Sequence, residues 1–281
     1  MGATTIEWTA TILPDGRSLP GYTFNSWVGC QAVSDACKYC YAESWAKRSG
    51  LVKWGPGEER RRTSESYWRQ PFKWNRIAER DGVRRRVFCC SLADVFDNKA
   101  DPQWRSDLFQ MIEDTPALDW LLLTKRPQNI AGMLWPKWDA KLPDNIWLGT
   151  TVENRQEADR RIPALLGIPA RIHFVSCEPL LERIHLGYIG WPSGSPRKRD
   201  GTNALLGITY YDGDFRGRTA RLGWVICGGE SGGHARVMNP DWARSLRDQC
   251  EAASVPFFMK QMTKKAPIPP DLMVRQFPVT K

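Results

Sequence analysis

Histidine is nearly missing from this chain: there are three in 281 residues, the first of them His173. The scarcity matters for Cys30, Cys37 and Cys40, which are spaced Cys-x6-Cys-x2-Cys with the next cysteine only at Cys89. Without a fourth cysteine or histidine nearby, the loop lacks the ligand that closes a four-coordinate structural zinc site. A disulfide would strand one of the three thiols. An iron–sulfur cube held by three thiolates instead leaves one iron open to a small molecule, which makes the loop a candidate reaction site. Tyr39, just before the last cysteine, puts an aromatic ring where it can lie beside a ligand docked on the cluster.

Other absences narrow the class. No apolar run approaches the length of a membrane span. The stretch from Met1 to Glu7 lacks the basic-then-apolar layout of a signal peptide. Position six is Ile6, so the myristoylation pattern fails as well. The expectation is a cytoplasmic protein with no membrane partner. Cys89, Cys90, Cys177 and Cys227 lie in apolar runs and Cys250 on a predicted helix, so all five read as buried free thiols in a reducing compartment.

Acidic residues are outnumbered, 31 against 40 basic ones, for a net charge of +9. The basic residues gather at Arg60-Arg61-Arg62, Arg84-Arg85-Arg86, Arg160-Arg161 and Pro196-Arg197-Lys198-Arg199. Such a balance favours a polyanionic partner such as nucleic acid, although solvated helix faces also produce charge runs. The 14 tryptophans and 7 tyrosines include candidates for stacking on bases, while most aromatics in an enzyme are core.

Along the chain, residues 1–29 read as an irregular N-terminal extension with strand pieces at Thr5–Thr9 and Phe24–Gly29. A helix is predicted from Tyr41 to Arg48, stopped by Gly50, and another from about Trp74 to Arg80. Short apolar runs then alternate with helical stretches. The runs are 86–91, 120–123, 146–149, 172–175, 224–227 and 255–260, and helices are predicted at 102–114, 156–166 and 240–253. Continuous apolar strands alternating with helices indicate a parallel sheet covered by helices. Nearly every run ends in polar, acidic or glycine-rich residues, at the edge where such sheets bind ligands. The fold expected is α/β, a partial (βα) barrel of about six parallel strands in a single domain, 1–281. Residues 187–222 break the rhythm and read as an insertion or flap.

The cysteine loop on a βα barrel resembles the radical SAM superfamily, whose last two cluster cysteines are spaced as in Cys37-Lys38-Tyr39-Cys40. Its usual first spacing is three residues, whereas six separate Cys30 from Cys37. A closer similarity is to a phage-associated radical-SAM-like family long named only as phage proteins of unknown function, of which the extended spacing is characteristic. It is carried by Ile6–Thr9, Gly29–Glu43, Leu122–Pro127, Glu178–Leu181, Gly228–Gly232 and Pro256–Gln261.

The resemblance implies a [4Fe-4S] cluster on Cys30, Cys37 and Cys40, with S-adenosylmethionine chelating the open iron. Reductive cleavage there would give methionine and a 5′-deoxyadenosyl radical that takes hydrogen from the substrate. Tyr39 would flank the adenine, and Ser91 and Asp94 would meet the methionine amino group. Thr151 and Glu153, or Ser176 and Glu178, would reach ribose hydroxyls or that amino group, and Lys125 and Arg126 the carboxylate or a substrate anion. Glu230, in a glycine-rich loop that is neither a Walker motif nor a dinucleotide fingerprint, and Lys260 are the candidate catalytic side chains. For each residue outside the cysteines the alternative is a strand-end hydrogen bond or ion pair. His173 reads as core, and His234 as a weak substrate contact.

The function expected is modification or isomerisation of a substituent on a hypermodified thymine base of phage DNA, in the host cytoplasm, with an external electron donor such as a flavodoxin. Two alternatives remain: the same chemistry on a peptide or small metabolite, and a non-catalytic zinc-containing nucleic-acid-binding protein.

Overall fold

The computed structural model describes residues 3–138, 142–190, 200–212 and 214–279. Seven strands form one sheet: β1 (Tyr22–Phe24), β2 (Arg85–Cys89), β3 (Leu118–Thr124), β4 (Ile146–Thr151), β5 (Ile172–Cys177), β6 (Leu222–Gly228) and β7 (Phe257–Gln261). Their hydrogen-bonded order follows the chain from β1 to β7 without reversal. Doubly wound sheets reverse their order partway along; an unreversed parallel order is that of barrels. The fold class is thus mixed α/β with a seven-strand parallel sheet, in agreement with the expected partial barrel. Six strands follow the cysteine loop, and β1 precedes it.

The contacts group into two compact units, Met1–Thr124 with Lys141–Leu148, and Lys125–Ala140 with Gly149–Lys281. In the first, β1 pairs with β2 from Tyr22–Val87 to Phe24–Cys89, and β2 with β3 from Arg85–Leu118 to Cys89–Leu122. Every residue of β2 is buried, which is why it reads as an apolar run. The aromatic wealth is packed here: Tyr22 stacks on Trp74 at 4.4 Å, and Phe24 meets Trp68 and Trp120 edge-on at 5.6 and 5.8 Å. Helix α1 (Tyr41–Ser49) stops at Gly50 with φ +64°, and α2 (Gln70–Asp81) at Gly82 with φ +63°, the left-handed conformation glycine adopts freely. Helix α3 (Pro102–Glu113) opens with Asp101 accepting the Gln103 N–H at 2.8 Å and proline in the first turn.

In the second unit β5 pairs with β6 and β6 with β7, all parallel. Helix α4 (Ile130–Trp138), which the apolar periodicity does not single out, precedes β4. Asn154 caps α5 (Arg155–Leu166) through the Glu157 N–H at 2.8 Å, and Asn239 caps α6 (Pro240–Ala252) through Asp241 N–H at 2.9 Å. The expected flap is ordered where it is described: Ile189–Gly190, Gly201–Asn203, Ile208–Tyr211 and Asp214–Arg218 form a four-stranded antiparallel sheet. Residues 191–199, with the basic stretch 196–199, lie outside the described residues. Among the described residues no helix is long and apolar enough to cross a membrane.

Two buried details make this unit testable. A Cβ on Gly149 would come within 2.3 Å of the Phe174 ring, so that ring lies across β4 only because Gly149 has no side chain. Gly149→Ala should cost about 1–3 kcal/mol, read as a lower urea midpoint. His173 is buried, with Nε2 2.7 Å from the Ile168 carbonyl oxygen, and burial lowers its pKa from 6.5. The unfolded chain therefore takes up this proton first. Stability is full above pH 6.5 and declines as pH falls through that value, by at most about 1.4 kcal/mol per pH unit until the folded state protonates too. His173→Gln should flatten that part of the profile.

Candidate functional site

The cysteine loop leaves a short strand, Trp27–Val28, that pairs antiparallel with Arg61–Arg62. It contains one 3-10 turn, Asp35–Cys37, and ends with Cys40 as the N-cap residue of α1. Cys30, Cys37 and Cys40 are half-exposed free thiols, whereas Cys89, Cys90, Cys177, Cys227 and Cys250 are buried. Burial pushes the Cys177, Cys227 and Cys250 thiols up, so they stay protonated and inert. The eight cysteines thus sort into three that can bind and five that pack.

Backbone bonds shape the loop: Cys37 N–H donates to Ser34 O at 2.9 Å, and Ser44 N–H to Cys40 O at 3.1 Å. The Ser34 hydroxyl is buried and has no partner among the described residues, a donor awaiting an acceptor. Among the described residues no three His, Cys, Asp or Glu side chains gather as a site for a single metal ion. A cube binds each thiolate to a different iron, so ligands spread along a loop suit it better than they suit one ion. Three accessible soft ligands and an unmet hydroxyl donor fit a [4Fe-4S] group.

Residues beyond the end of β2 hold the loop in place. Asn25 Oδ1 accepts the Leu92 N–H at 2.7 Å and the Ser91 hydroxyl at 3.2 Å. Gly29 N–H donates to Leu92 O at 3.1 Å, and the Tyr41 hydroxyl to Ser91 O at 2.7 Å. Beneath them Tyr67 donates to Thr23 O at 3.0 Å, and burial pushes its hydroxyl up to about 12. Ser91 therefore does lie against the cysteine loop, as its position at a strand end implies. Asp94 is buried, and its Oδ1 accepts from Thr124 Oγ1 at 2.7 Å and Phe96 N–H at 3.0 Å. Tyr39 is half-buried, with the Lys38 ammonium 5.5 Å from its ring centre.

The remaining candidates belong to the second unit. Lys125 is half-buried and Arg126 buried. Thr151 and Ser176 are buried at the ends of β4 and β5, and the Ser176 carbonyl accepts Val152 N–H at 3.0 Å. Glu153 is fully buried and accepts Arg161 Nη1 at 2.8 Å. Glu178 forms an ion pair with Lys260, both partly exposed. Glu230 is gripped by Arg236, whose N–H donates to Oε2 at 2.7 Å and whose guanidinium contacts both oxygens. Gly229 permits a close approach to Thr263, whose amide nitrogen a Cβ would meet at 2.6 Å. The structure thus brings Glu178 and Lys260 together and gives Glu153 and Glu230 arginine partners. His234 is exposed.

Sequence reasoning missed Asn25, Tyr41, Arg60 and Asp97 as supports of the loop. The first two carried no signal beyond their neighbourhood, and Arg60 was hidden in a charge run. Three of the four arginine clusters prove largely internal. Arg60 pairs with Asp97, Arg62 with Asp107, Arg84 with Asp119, Arg85 with Asp81, and Arg161 with Glu153. Arg86 is buried and donates to the Ala10 carbonyl, and burial lowers its pKa to about 10. Arg62 also lies 3.9 Å from the Trp68 ring.

No curated protein and no solved structure matches the chain. A family model described as "Protein of unknown function (DUF5131)" matches residues 3–271, and no radical SAM family does. That match corrects the resemblance to radical SAM proteins drawn from the motifs: short motifs around cysteines and glycines recur wherever a loop must bind or bend, and they do not carry membership. By a match over nearly its whole length, the chain belongs to the DUF5131 family.

Proposed function

We propose that this protein is an enzyme that holds a [4Fe-4S] cluster on Cys30, Cys37 and Cys40 and uses it to cleave S-adenosylmethionine reductively. The observation that carries the reading is the sorting of the thiols, three half-exposed on one loop and five buried elsewhere. When bound, the cluster and S-adenosylmethionine would supply a 5′-deoxyadenosyl radical able to take hydrogen from an unactivated carbon. The protein's own part is to hold, orient and shield. Cys40 is the N-cap residue of α1, so the helix start fixes the last of the three thiols at the end of the loop. Ser34 offers a donor to sulfur, and hydrogen bonds to cluster sulfurs tune the potential. Tyr39 would flank the adenine, Ser91 lies against the loop through the Tyr41 hydroxyl, and a flavodoxin-type protein would supply the electron.

The substrate proposed is a base in nucleic acid, a hypermodified thymine of phage DNA in its concrete form. The net charge of +9 supports it. So does the hairpin of Ile208–Tyr211 and Asp214–Arg218, where Phe215 is 62% exposed and where, among the described residues, the exposed Arg216 and Arg218 have no carboxylate partner. The internal pairing of the arginines at 60–62, 84–86 and 160–161 favours a second reading, the same chemistry on a peptide or small metabolite.

Anaerobic reconstitution should give a brown protein absorbing near about 400 nm that releases 5′-deoxyadenosine from S-adenosylmethionine under reduction. Replacing any one of Cys30, Cys37 and Cys40 by Ala should lower iron affinity by more than the roughly 10–100-fold that outer-shell changes cost. A colourless zinc protein would end the proposal. Arg216→Glu with Arg218→Glu should weaken DNA binding and flatten its logarithmic salt dependence by about 2. Digested DNA should show an altered nucleoside, and binding that ignores the double substitution turns the choice to the small-substrate reading.

A further inference from the structure

Arg60 opens a run of three arginines but shares none of their exposure. Its side chain and that of Asp97 are both 0% exposed, and Nε donates to Oδ2 at 2.8 Å. Nη1 donates to the carbonyls of Glu58 at 2.8 Å and Gly55 at 3.2 Å, which holds the 55–58 turn closed. The Gly55 N–H in turn donates to the carbonyl of Cys30 at 3.1 Å. On the other side of Cys30, a Cβ at Gly29 would come 3.1 Å from Arg60 Cδ, so the guanidinium stem lies directly against the loop. Nη2 is buried and has no partner among the described residues.

A buried arginine fork that satisfies one carboxylate and two carbonyls fixes the backbone around it, because a planar group with set donor directions cannot be replaced by a point charge. Asp97 is itself fixed from the far side, its carbonyl accepting Arg105 Nη2 at 2.7 Å. We propose that Arg60 is the positioning residue of the cysteine loop. It clamps the turn whose Gly55 amide carries Cys30, with its stem packed against Gly29 just before that cysteine. The inference rests on Cys30 being a ligand, as argued above. It would explain why a charge is buried beside a loop that has almost no regular structure of its own.

The test needs no cluster. In the metal-free protein, iodoacetamide labelling of each cysteine is followed by mass spectrometry in wild type and Arg60→Lys. Lysine keeps the charge opposite Asp97 but cannot reach both carbonyls. The expected result is Cys30 labelling faster by about 10-fold, with Cys37 and Cys40 unchanged and Cys177, Cys227 and Cys250 still protected. Unchanged Cys30 reactivity in a folded variant, or an equal rise at all three loop cysteines, overturns the proposal. Should Arg60→Lys expose the buried cysteines, Asp97→Asn, which keeps a hydrogen-bond acceptor, decides by the same pattern. In reconstituted protein Arg60→Lys should also shift the reduced-cluster spin-resonance signal and the midpoint potential. If wild type binds no iron, the enzymatic reading fails while the labelling still reports on Arg60.

Discussion

A loop of eleven residues with a single 3-10 turn cannot by itself hold three thiols in one place, so the candidate site depends on how its two ends are tied. Both ends go to the same dipeptide. Gly29, before the first cysteine, donates to the Leu92 carbonyl, and Tyr41, after the last, donates to the Ser91 carbonyl. Asn25 binds that dipeptide from below through its side-chain amide. Ser91 and Leu92 follow β2 after one residue, Cys90, so a buried parallel strand sets the position of an otherwise irregular loop. Closing a loop on a fixed base removes much of the chain entropy that binding a cluster would otherwise have to overcome.

The parallel strands were legible for the same reason that they are stable. All six residues of β4 and of β5 are buried, and a strand covered on both faces is apolar over most of its length. Glycine stops and proline starts placed α1, α3 and α6 within a residue or two, because those residues act through backbone geometry that tertiary contacts seldom override. The Tyr22–Phe24 strand is only three residues long, and its aromatic packing partners Trp68, Trp74 and Trp120 are distant in the chain. Nothing local could reveal it. Helix α4, rich in apolar residues on all sides, offered no periodicity to read.

Charge is where local reading went furthest astray. A run of arginines looks alike whether it faces solvent or enters the core, and the distinction lies in whether acidic partners arrive from elsewhere. Asp97 and Asp107 arrive at Arg60 and Arg62 from 37 and 45 residues away, and Asp119 at Arg84 from 35. Such pairs organise backbone more than they add stability, since removing two charges from water offsets most of their attraction. The long Arg60 and Arg105 forks, each bonded to main-chain carbonyls as well as facing an aspartate, do that work around the 94–97 loop.

The acidic residues at the strand ends differ in the same way, and the difference ranks them as ligand groups. Glu153 and Arg161 are both 0% exposed, and Arg161 also faces Glu157 at 3.0 Å, so drawing Glu153 towards a substrate would break a buried charge network, at about 3–5 kcal/mol. Glu230 shares its two oxygens among several donors of one arginine, and opening that fork costs several hydrogen bonds together. Glu178 and Lys260 are held by a single contact, with side chains 20% and 27% exposed. Water can replace each partner as the other turns away, so this pair can trade its internal bond for a ligand ammonium on the carboxylate side and a ligand carboxylate on the other. Of Glu153, Glu178 and Glu230, it is Glu178 whose charge is available to a bound molecule without undoing the fold.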